Sequence, residues 1–394
     1  MKVEILAATI LASVAILGCG GDGDPGKDEL PDNVGEAIAT YARIVHASYQ
    51  DSLTRASELD TAVQALVNTP TMASRDAART AWLAAREPYL QTEVYRFYDG
   101  PIDNPDNGPE GLINAWPLDE AYIDYVVGNP TSGIINDPAV TIDAPALESL
   151  NEQGGEENIA TGFHAVEFLL WGQDISATGP GERPHTDYVT DGGGTADNQD
   201  RRGLYLRTVS TMLVGHLGDM VEAWRPDQAK NYRSGFEGGD RKEALRRILT
   251  GMIVLSGFET GGERLQTALD SGDQEDEHSC FSDNTHRDMI QDVQGIDNVW
   301  RGSYTALDGS KVTGRGIREV VAKVDAGLAT MLDQQIAESL RLANELAPPF
   351  DQEIATGNAA GRARVQALVD SLQTQEKRLE DVFRLFDLTI PAPE

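Results

Sequence analysis

The chain has few basic side chains for its length. Among 394 residues, 32 Lys and Arg stand against 64 Asp and Glu, which gives a formal net charge of -32 at pH 7. Such a negative field repels phosphate backbones and anionic membrane surfaces, and therefore argues against nucleic acid as a partner. The same acidity is typical of an exported protein that remains soluble through its surface charge.

Cysteine is scarcer still, with only Cys19 and Cys280 in the sequence. If Cys19 belongs to an export signal, the folded part has a single thiol and can form no internal disulfide. A single thiol also cannot build a thiolate zinc site. We therefore expect Cys280 to be buried and unreactive rather than catalytic.

The first 33 residues have the composition of an export signal followed by a linker. An apolar run over residues 5 to 17 is too short to span a membrane comfortably and ends at small residues around Cys19. The stretch "ILGC" is similar to the lipobox of bacterial lipoproteins, in which the cysteine is lipidated. We expect a signal peptide over 1–18, a lipid anchor on Cys19 and a flexible tether over 19–33. The alternative is an ordinary cleaved signal with an incidental cysteine.

Long stretches of alternating apolar and polar residues are absent, and apolar residues recur mainly at helical spacing. The predicted helices cover residues 34–67, 73–98, 156–172, 200–224, 241–270, 314–345 and 361–386. Two sets of about four helices favour an all-α fold of two helical-bundle halves, 34–199 and 200–394, and suggest a duplication. Residues 172 to 200 read as an exposed loop or connection.

One predicted helix carries two polar residues in an apolar run, "GFHAVEFLLW". His164 and Glu167 are three residues apart, so a helix presents both side chains on one face, where they can converge on one ion or one proton. Helical Glu/His pairs of this kind bind metals inside bundles. The bare H-x-x-E pattern is common, however, and from the spacing alone a buried His–Glu hydrogen bond is the favoured interpretation.

Three other segments place polar side chains in apolar or polar-dense surroundings. They contain Arg86, Tyr89 and Glu93; Ser256, Glu259 and Glu263; and His278, Ser282, Asp283, His286 and Asp288. Carboxylates in hydrophobic surroundings need a partner because a buried lone charge is strongly destabilising. Arg86 and Arg264 are candidate ion-pair partners. Ser282 or Asp283 is a candidate cap for a helix that begins near Thr285.

The common hydrolase and nucleotide motifs are missing from the sequence. Ala165 stands where H-E-x-x-H keeps its general base, and Phe168 replaces the second histidine of H-x-x-E-H. No G-x-S-x-G, P-loop or dinucleotide fingerprint is present. A zinc peptidase assembled from His164, Glu167 and distant residues remains open.

The helix around His164 carries the signature G-x-H-x-x-E, as Gly162, His164 and Glu167. It resembles the imelysin-like family of bacterial exported proteins, which includes insulin-cleaving metalloproteinase and iron-regulated protein A. Five further segments resemble family segments in the expected order: "AREPYLQTEVYRFYDGPID", "NAWPLDEAYIDYV", "DRRGLYL", "SGFETGGERL" and "EHSCFSDNTHRD". The last is most similar to the iron-regulated branch, and together the segments are far more specific than H-x-x-E alone.

The resemblance implies an all-helical fold with a site at the interface of its two halves. It makes His164 and Glu167 the leading metal-ligand candidates and Glu93 a third. Glu259 and Glu263 are further ligand candidates from their matching segment. The other site candidates are Arg86, Tyr89, Ser256, Asp283 and His286.

Three functions follow for such a chain. The first is an exported lipoprotein, facing the periplasm or cell surface with the outer membrane favoured, that binds a divalent metal in iron uptake. Iron is the favoured ion, because carboxylates with one imidazole suit iron or manganese better than copper, and zinc is an alternative. The expected partners are the metal ion, the membrane through the lipid anchor and an iron-uptake protein. The second is a metallopeptidase with Glu93 or Glu259 as general base. The third is a helical module that binds another ligand.

Overall fold

The computed structural model describes residues 30–176 and 178–392. The predicted signal peptide, the Cys19 anchor and the tether up to residue 29 lie outside the described residues. Within the described ranges, none of the helices combines the length and apolar character that crossing a membrane requires.

The fold is all-α, as predicted. The helices are α1 (Val34–Asn68), α2 (Met72–Leu90), α3 (Glu110–Ile113), α4 (Glu120–Ile123), α5 (Ala144–Leu150), α6 (Gly162–Trp171), α7 (Gln199–Trp224), α8 (Tyr232–Gly238), α9 (Arg241–Ile253), α10 (Thr267–Ser271), α11 (Thr285–Arg301), α12 (Ile317–Val324), α13 (Ala326–Ala343), α14 (Phe350–Ile354) and α15 (Ala359–Leu385). Short 3-10 helices cover Glu93–Tyr95, Ile134–Asn136, His185–Tyr188 and Gln274–Asp276, and a π-helical segment, Val254–Gln266, joins α9 to α10. Strands β1 (Ser303–Thr305) and β2 (Lys311–Thr313) form one antiparallel hairpin.

Two groups of helices form the body of the molecule. In the first group α1 packs along α2 and α7, and α6 packs on α2 and α7. In the second group α15 packs on the π-helical segment and α13, and α11 packs on α13 and the π-helical segment. By these contacts α7 packs in the first group, and the boundary between two halves at 199/200 stays a prediction. The duplication stays a prediction.

An apolar cluster extends through both groups. Ile38 and Val45 of α1, Leu249 of α9 and Val382 of α15 are fully or almost fully buried in one hydrophobic cluster. A second, smaller cluster around Phe350 lies within the second group. Because apolar side chains recur on one face of each long helix, burial of those faces holds the groups together.

The helix α6 begins later than the predicted start at 156. Gly162 has a φ of +85°, and a Cβ at this position would lie 2.6 Å from the carbonyl oxygen of Ile113. Only glycine combines this backbone conformation with so close a contact. The first residue of the signature thus fixes where the helix carrying His164 and Glu167 starts.

Two other predicted helices are shorter or divided. The helix predicted over 73–98 ends at Leu90, and the chain then turns into the 3-10 helix that buries Glu93. The helix predicted over 314–345 is divided at Asp325, whose side chain accepts a hydrogen bond from the Leu328 amide and caps α13. At both places a polar side chain, Glu93 or Asp325, bonds a specific partner and ends or divides the predicted helix. The spacing of apolar residues carries no information about such bonds.

The connection over residues 172 to 200 is less exposed than predicted. The side chain of Arg183 is 1% exposed and donates to the Asp124 carboxylate at 2.7 Å. Arg202 on α7 donates to the same carboxylate at 2.6 Å. Tyr188 is also buried and donates to the carbonyl oxygen of Leu169. Buried ion pairs therefore hold this connection against α4 and α7.

The π-helical segment changes which side chains share a face. Its hydrogen bonds run from i to i+5, so residues five apart align. Glu259 and Arg264 are five apart and form a hydrogen bond at 2.8 Å. Ser256 points away from them and donates to the carbonyl oxygen of Leu372 on α15. The α-helical spacing that groups Ser256 with Glu259 and Glu263 is therefore wrong for this segment.

The helix α9 lies against the 3-10 helix that carries Glu93. A Cβ on Gly251 would lie 2.0 Å from the carbonyl oxygen of Val94, and neither backbone can yield without displacing Glu93. We expect Gly251→Ala to lower the free energy of unfolding by about 1–3 kcal/mol, the usual effect of overpacking. Urea denaturation measures this loss.

Gly218 on α7 provides the matched control. A Cβ there would have no heavy atom within 4 Å. Gly218→Ala is therefore expected to raise the free energy of unfolding by about 0.5–1 kcal/mol through helix propensity alone. Equal effects of the two substitutions would contradict the close contact at Gly251.

Candidate functional site

The signature residues form a hydrogen-bonded pair inside the molecule. On α6, where every residue is buried, His164 Nδ1 lies 2.9 Å from Glu167 Oε2. The other oxygen of Glu167, Oε1, accepts hydrogen bonds from the Ser282 amide at 3.0 Å and the Ser282 hydroxyl at 2.6 Å. Both oxygens are thus engaged, and Glu167 is placed to orient His164.

The second nitrogen of His164 is the unusual atom. Nε2 is buried and has no hydrogen-bond partner among the described residues. A buried polar atom without a partner is rare in folded proteins and calls for an explanation, such as a bound ion or water. The structure thus leaves one ring nitrogen fixed by a carboxylate and the other open to a ligand.

A second imidazole lies beside the first. The rings of His164 and His278 have centroids 4.9 Å apart at an angle of 71°. His278 Nδ1 lies 2.8 Å from Asp288 Oδ2, and no hydrogen bond of the described residues involves its Nε2. Trp116 contacts the His278 ring edge-on, with 5.9 Å between the ring centroids. His164 and His278 therefore share one arrangement, with Nδ1 held by a carboxylate and Nε2 open.

Arg86 anchors this arrangement from α2. Its guanidinium donates to Asp288 at 2.9 Å and lies 5.0 Å from the ring centroid of Phe163. Although burial opposes ionisation of Asp288, Arg86 and His278 hold the pKa of that carboxyl well below its usual range. Asp288 is therefore a charged acceptor for His278 at neutral pH.

Burial keeps both imidazoles neutral. Burial and the nearby Arg86 lower the pKa of His164 well below its usual value, and burial and Arg264 lower the pKa of His278 to about 4. Burial raises the pKa of Glu167 to about 8, against the Ser282 hydrogen bonds, which favour the ionised form. When Glu167 is ionised it accepts the Nδ1 proton of His164, and the Nε2 lone pair is then free to bind a ligand.

A cavity opens beside His278. It has a volume of about 510 Å³, and its lining includes Trp116, His278, Glu110, Glu259, Glu263 and Arg264. The side chain of His164 is 1% exposed and is not part of the lining. His278 thus stands at the wall of the cavity, with His164 packed behind it.

Arg264 forms ion pairs with two predicted carboxylates and with a third that the sequence analysis did not name. It donates to Glu93 at 2.5 Å, to Glu259 at 2.8 Å and to Asp292 of α11 at 2.9 Å. Burial opposes ionisation of Glu93, but Arg96 and Arg264 hold its pKa below the usual value. Glu93 Oε1 is buried without a hydrogen-bond partner, whereas Glu263 is exposed at the cavity. The predicted ion pairing of Arg264 is thus present.

The predicted metal ligands are not arranged around a common point. Among the described residues, no group of three or more His, Cys, Asp or Glu side chains is placed to hold a metal ion. The arginine lies between Glu93 and Glu259, and Glu167 is held by Ser282. The atoms that fit a metal best are the open Nε2 nitrogens of His164 and His278, since neutral imidazole is a common ligand of iron and zinc.

Four predicted site candidates remain, of which only Tyr89 packs against α6. Tyr89 packs on Phe163 with ring centroids 4.8 Å apart and has a buried hydroxyl without a partner. Ser256 bonds the carbonyl oxygen of Leu372 on α15, in the second helix group. Among the described residues, neither Asp283 nor His286 forms a hydrogen bond to His164 or Glu167. Sequence reasoning named His278 without assigning it to the site, and it missed Trp116. Trp116 lies in "NAWPLDEAYIDYV", one of the segments that resemble the family, and that resemblance could have indicated it.

Two expectations for the segment before α11 have clear outcomes. The helix begins at Thr285, as predicted, but its N-cap residue is Asn284, and Ser282 instead bonds Glu167. Cys280 is a free, buried thiol, as predicted, and burial raises its pKa well above the usual value. It is therefore unsuited to act as a thiolate nucleophile.

Comparisons with known proteins agree with this description. The profile of the imelysin family, also designated peptidase M75, matches residues 45–379. Iron-regulated protein A of Synechococcus elongatus is 25% identical over 347 residues, which cover 84% of this chain and 83% of that protein.

Two solved structures share the fold. One, assigned as an iron-regulated protein A precursor from Parabacteroides distasonis, has a TM-score of 0.67 and 19% identity, covering 91% of this chain and 97% of that one. An imelysin-like protein from Psychrobacter arcticus has a TM-score of 0.63 and 12% identity, covering 92% and 99%. The family profile spans most of the sequence, and on this match the chain belongs to the imelysin family.

Proposed function

We propose that this chain is an exported protein that binds iron or another divalent metal at His164 and His278 as part of iron uptake. The observation that carries the proposal is the buried Nε2 of His164, which has no partner and lies in ring contact with a second imidazole. The similarity to iron-regulated protein A supports iron as the ion. The apolar N-terminal run and Cys19 support export with a lipid anchor.

The surrounding hydrogen bonds suit metal binding by these two rings. Asp288 accepts the Nδ1 proton of His278, and Glu167 accepts that of His164 when it is ionised; each bond fixes ring orientation and raises the basicity of the opposite nitrogen. A divalent ion bound here would be a Lewis acid held by two imidazoles. Among the described residues no third His, Cys, Asp or Glu side chain is placed to join these two rings, so water would complete its coordination.

The cavity gives a cation a route to this site. Glu110, Glu259 and Glu263 lie in its lining, and the net charge of the chain is -32. An acidic cleft concentrates cations and accelerates their association. The positive charge of Arg264 weakens this attraction at the cavity wall. We therefore expect an entering ion to interact with the carboxylates that pair with Arg264.

Tryptophan fluorescence tests the site directly because Trp116 contacts His278. We expect anaerobic titration of the purified signal-free chain with Fe²⁺ to quench fluorescence with a single saturable phase. Trp116→Phe should remove most of that quenching while leaving the stoichiometry unchanged. No saturable binding, or the same quenching in Trp116→Phe, would overturn the proposal.

The same preparation tests the peptidase alternative. Cleavage of an unfolded peptide that is stopped by a chelator and by His164→Ala would assign the metal a catalytic role instead of a transported one. Absence of cleavage with Fe²⁺, Mn²⁺ and Zn²⁺, together with saturable binding, is the expected outcome.

A further inference from the structure

Three cavities adjoin one another through shared lining residues. The cavity beside His278 shares Glu110 and Glu152 with a second cavity, which has a volume of about 500 Å³. The second cavity shares Glu148 with a third, of about 780 Å³, which extends to Asp219 on α7. Because the first and third cavities share no lining residue, the three lie in series. Together they are here named the acidic groove, which runs from His278 to Asp219.

The helix α3 and the residues after α5 build the middle of the groove. Asn151 donates from its side-chain amide to the carbonyl oxygen of Gly111 at 2.9 Å. The neighbouring Glu152 lies over α3, since a Cβ on Gly111 would be 2.9 Å from Glu152 Oε1. Direct contacts between two separate stretches of chain therefore define this part of the groove.

Acidic side chains outnumber basic ones in the groove. In the cavity beside His278, Arg96 pairs with Glu110 at 3.1 Å and Arg264 pairs with Glu259 at 2.8 Å. No lysine or arginine of the described chain lines the other two cavities. Across residues 30–176 and 178–392, four exposed carboxylates of the groove form no ion pair: Glu148, Glu152, Glu156 and Glu263. Such a groove attracts positive charge and repels anions.

A hydrogen-bond donor without a partner lies at the His278 end of the groove. Asn114 lines the cavity there, is 3% exposed, and accepts a hydrogen bond from Arg86 Nη1 on its Oδ1 at 2.5 Å. Because arginine can only donate, the Asn114 atom that faces it is the oxygen, which leaves Nδ2 free. This nitrogen has no partner among the described residues. A buried donor of this kind calls for an acceptor, such as a carbonyl oxygen.

Trp116 adds an aromatic surface beside Asn114. Its half-buried ring lines the same cavity and contacts His278 edge-on. Indole is the aromatic ring that attracts cations most strongly. The groove thus combines unpaired carboxylates, an indole ring and an amide donor.

We propose that the acidic groove binds an extended segment of a partner protein that is rich in lysine or arginine. A main-chain carbonyl of the segment would accept the Nδ2 proton of Asn114. An extended chain advances about 3.3 Å per residue, so it can place several basic side chains along cavities that lie in series. Those side chains would pair with the unpaired carboxylates Glu148, Glu152, Glu156 and Glu263.

Two other occupants fit the groove less well. A protonated polyamine such as spermine carries the positive charge but offers no acceptor to Asn114. A metal ion would find no group of three or more His, Cys, Asp or Glu side chains placed to hold it among the described residues. The inference does not rest on metal binding at His164 and His278, because the segment supplies its own positive charge.

Fluorescence anisotropy of a labelled peptide tests the groove. The probe is a short peptide in which lysine alternates with serine, added to the purified signal-free chain in chelator at about 150 mM salt, where distant charges are largely screened. We expect saturable binding, and none for the same peptide with glutamate in place of lysine. The double variant Glu152→Gln, Glu156→Gln should bind the lysine peptide about fivefold more weakly or worse, through the loss of two exposed ion pairs.

The matched control is the double variant Asp197→Asn, Asp370→Asn. Both carboxylates are exposed, lie outside the groove and form no ion pair in the part of the chain that the structure describes. This variant removes the same amount of charge and should bind the lysine peptide as the natural chain does. Equal losses in the two double variants would overturn the proposal, since the overall charge would then explain the binding.

Asn114→Asp separates a peptide from other cations. The aspartate keeps an acceptor for Arg86 but lacks the donor, and its added charge favours any cation. We therefore expect the affinity for the lysine peptide, relative to that for spermine, to fall about fivefold with the loss of one hydrogen bond. An unchanged ratio, or no saturable binding of the lysine peptide to the natural chain, would overturn the proposal. Because chelator is present throughout, a failure of metal binding cannot produce either result.

Discussion

His164→Ala is expected to weaken Fe²⁺ binding by at least about a hundredfold, because removal of a ligand exceeds the ten- to hundredfold effect of losing a group that merely orients one. Glu167→Gln should fall within that smaller range, since an amide keeps the hydrogen bond but lowers the basicity of the ring. Anaerobic calorimetric titration of the folded variants measures both effects.

The matched control is His216→Ala. His216 is half-buried on α7, also has an Nε2 without a partner, and lines a different cavity together with Asp99 and Asp219. Its loss should leave the Fe²⁺ affinity of the chain unchanged. Equal affinities for His164→Ala and the natural chain would remove His164 from the site, whatever the comparison with His216→Ala shows.

The largest expected effect on stability belongs to Arg264→Met. This substitution keeps the volume of the side chain but leaves Glu93, Glu259 and Asp292 without their shared cation. Breaking a buried ion pair on one side typically lowers the free energy of unfolding by about 3–5 kcal/mol. Urea denaturation at pH 7 should show this loss, and lowering the pH should recover part of it as the carboxylates take up protons.

Arg341→Met tests whether any lost ion pair has the same effect. Arg341, on the exposed face of α13, pairs with Glu338 of the same helix and with Glu345 just after its end. Water and salt screen such pairs, and the urea midpoint should not change measurably. A comparable loss in both variants would show that burial of the Arg264 cluster is not what makes it stabilising.

Apolar periodicity was sufficient to locate the long helices. The predicted spans 34–67, 200–224 and 361–386 match α1, α7 and α15 within two residues at each end. The same signal failed where tertiary contacts decide the backbone, as at Gly162 and Asp325. It could not predict the π-helical segment, because a local i to i+5 pattern depends on how that segment packs against α15.

The sequence named several residues of this region, but it did not assign His278 to the site and did not show how the residues connect. The signature located His164 and Glu167, and apolar context located Glu93, Glu259 and their arginine partner. The geometry depends on pairs far apart in sequence, such as Glu93 with Arg264, whose separation is 171 residues.

The burial of His164 separates how tightly an ion binds from how fast it exchanges. With 1% of its side chain exposed and the His278 ring in contact, the open nitrogen exchanges an ion only when groups around it move, and the segment from Glu277 to Asp283, which carries His278, is the one in direct contact. The dwell time of an ion bound at this nitrogen would then depend on how often that segment opens. Loop motions of this kind take microseconds to milliseconds or longer. A receiving protein could accelerate unloading by displacing the segment, without competing for the ion itself.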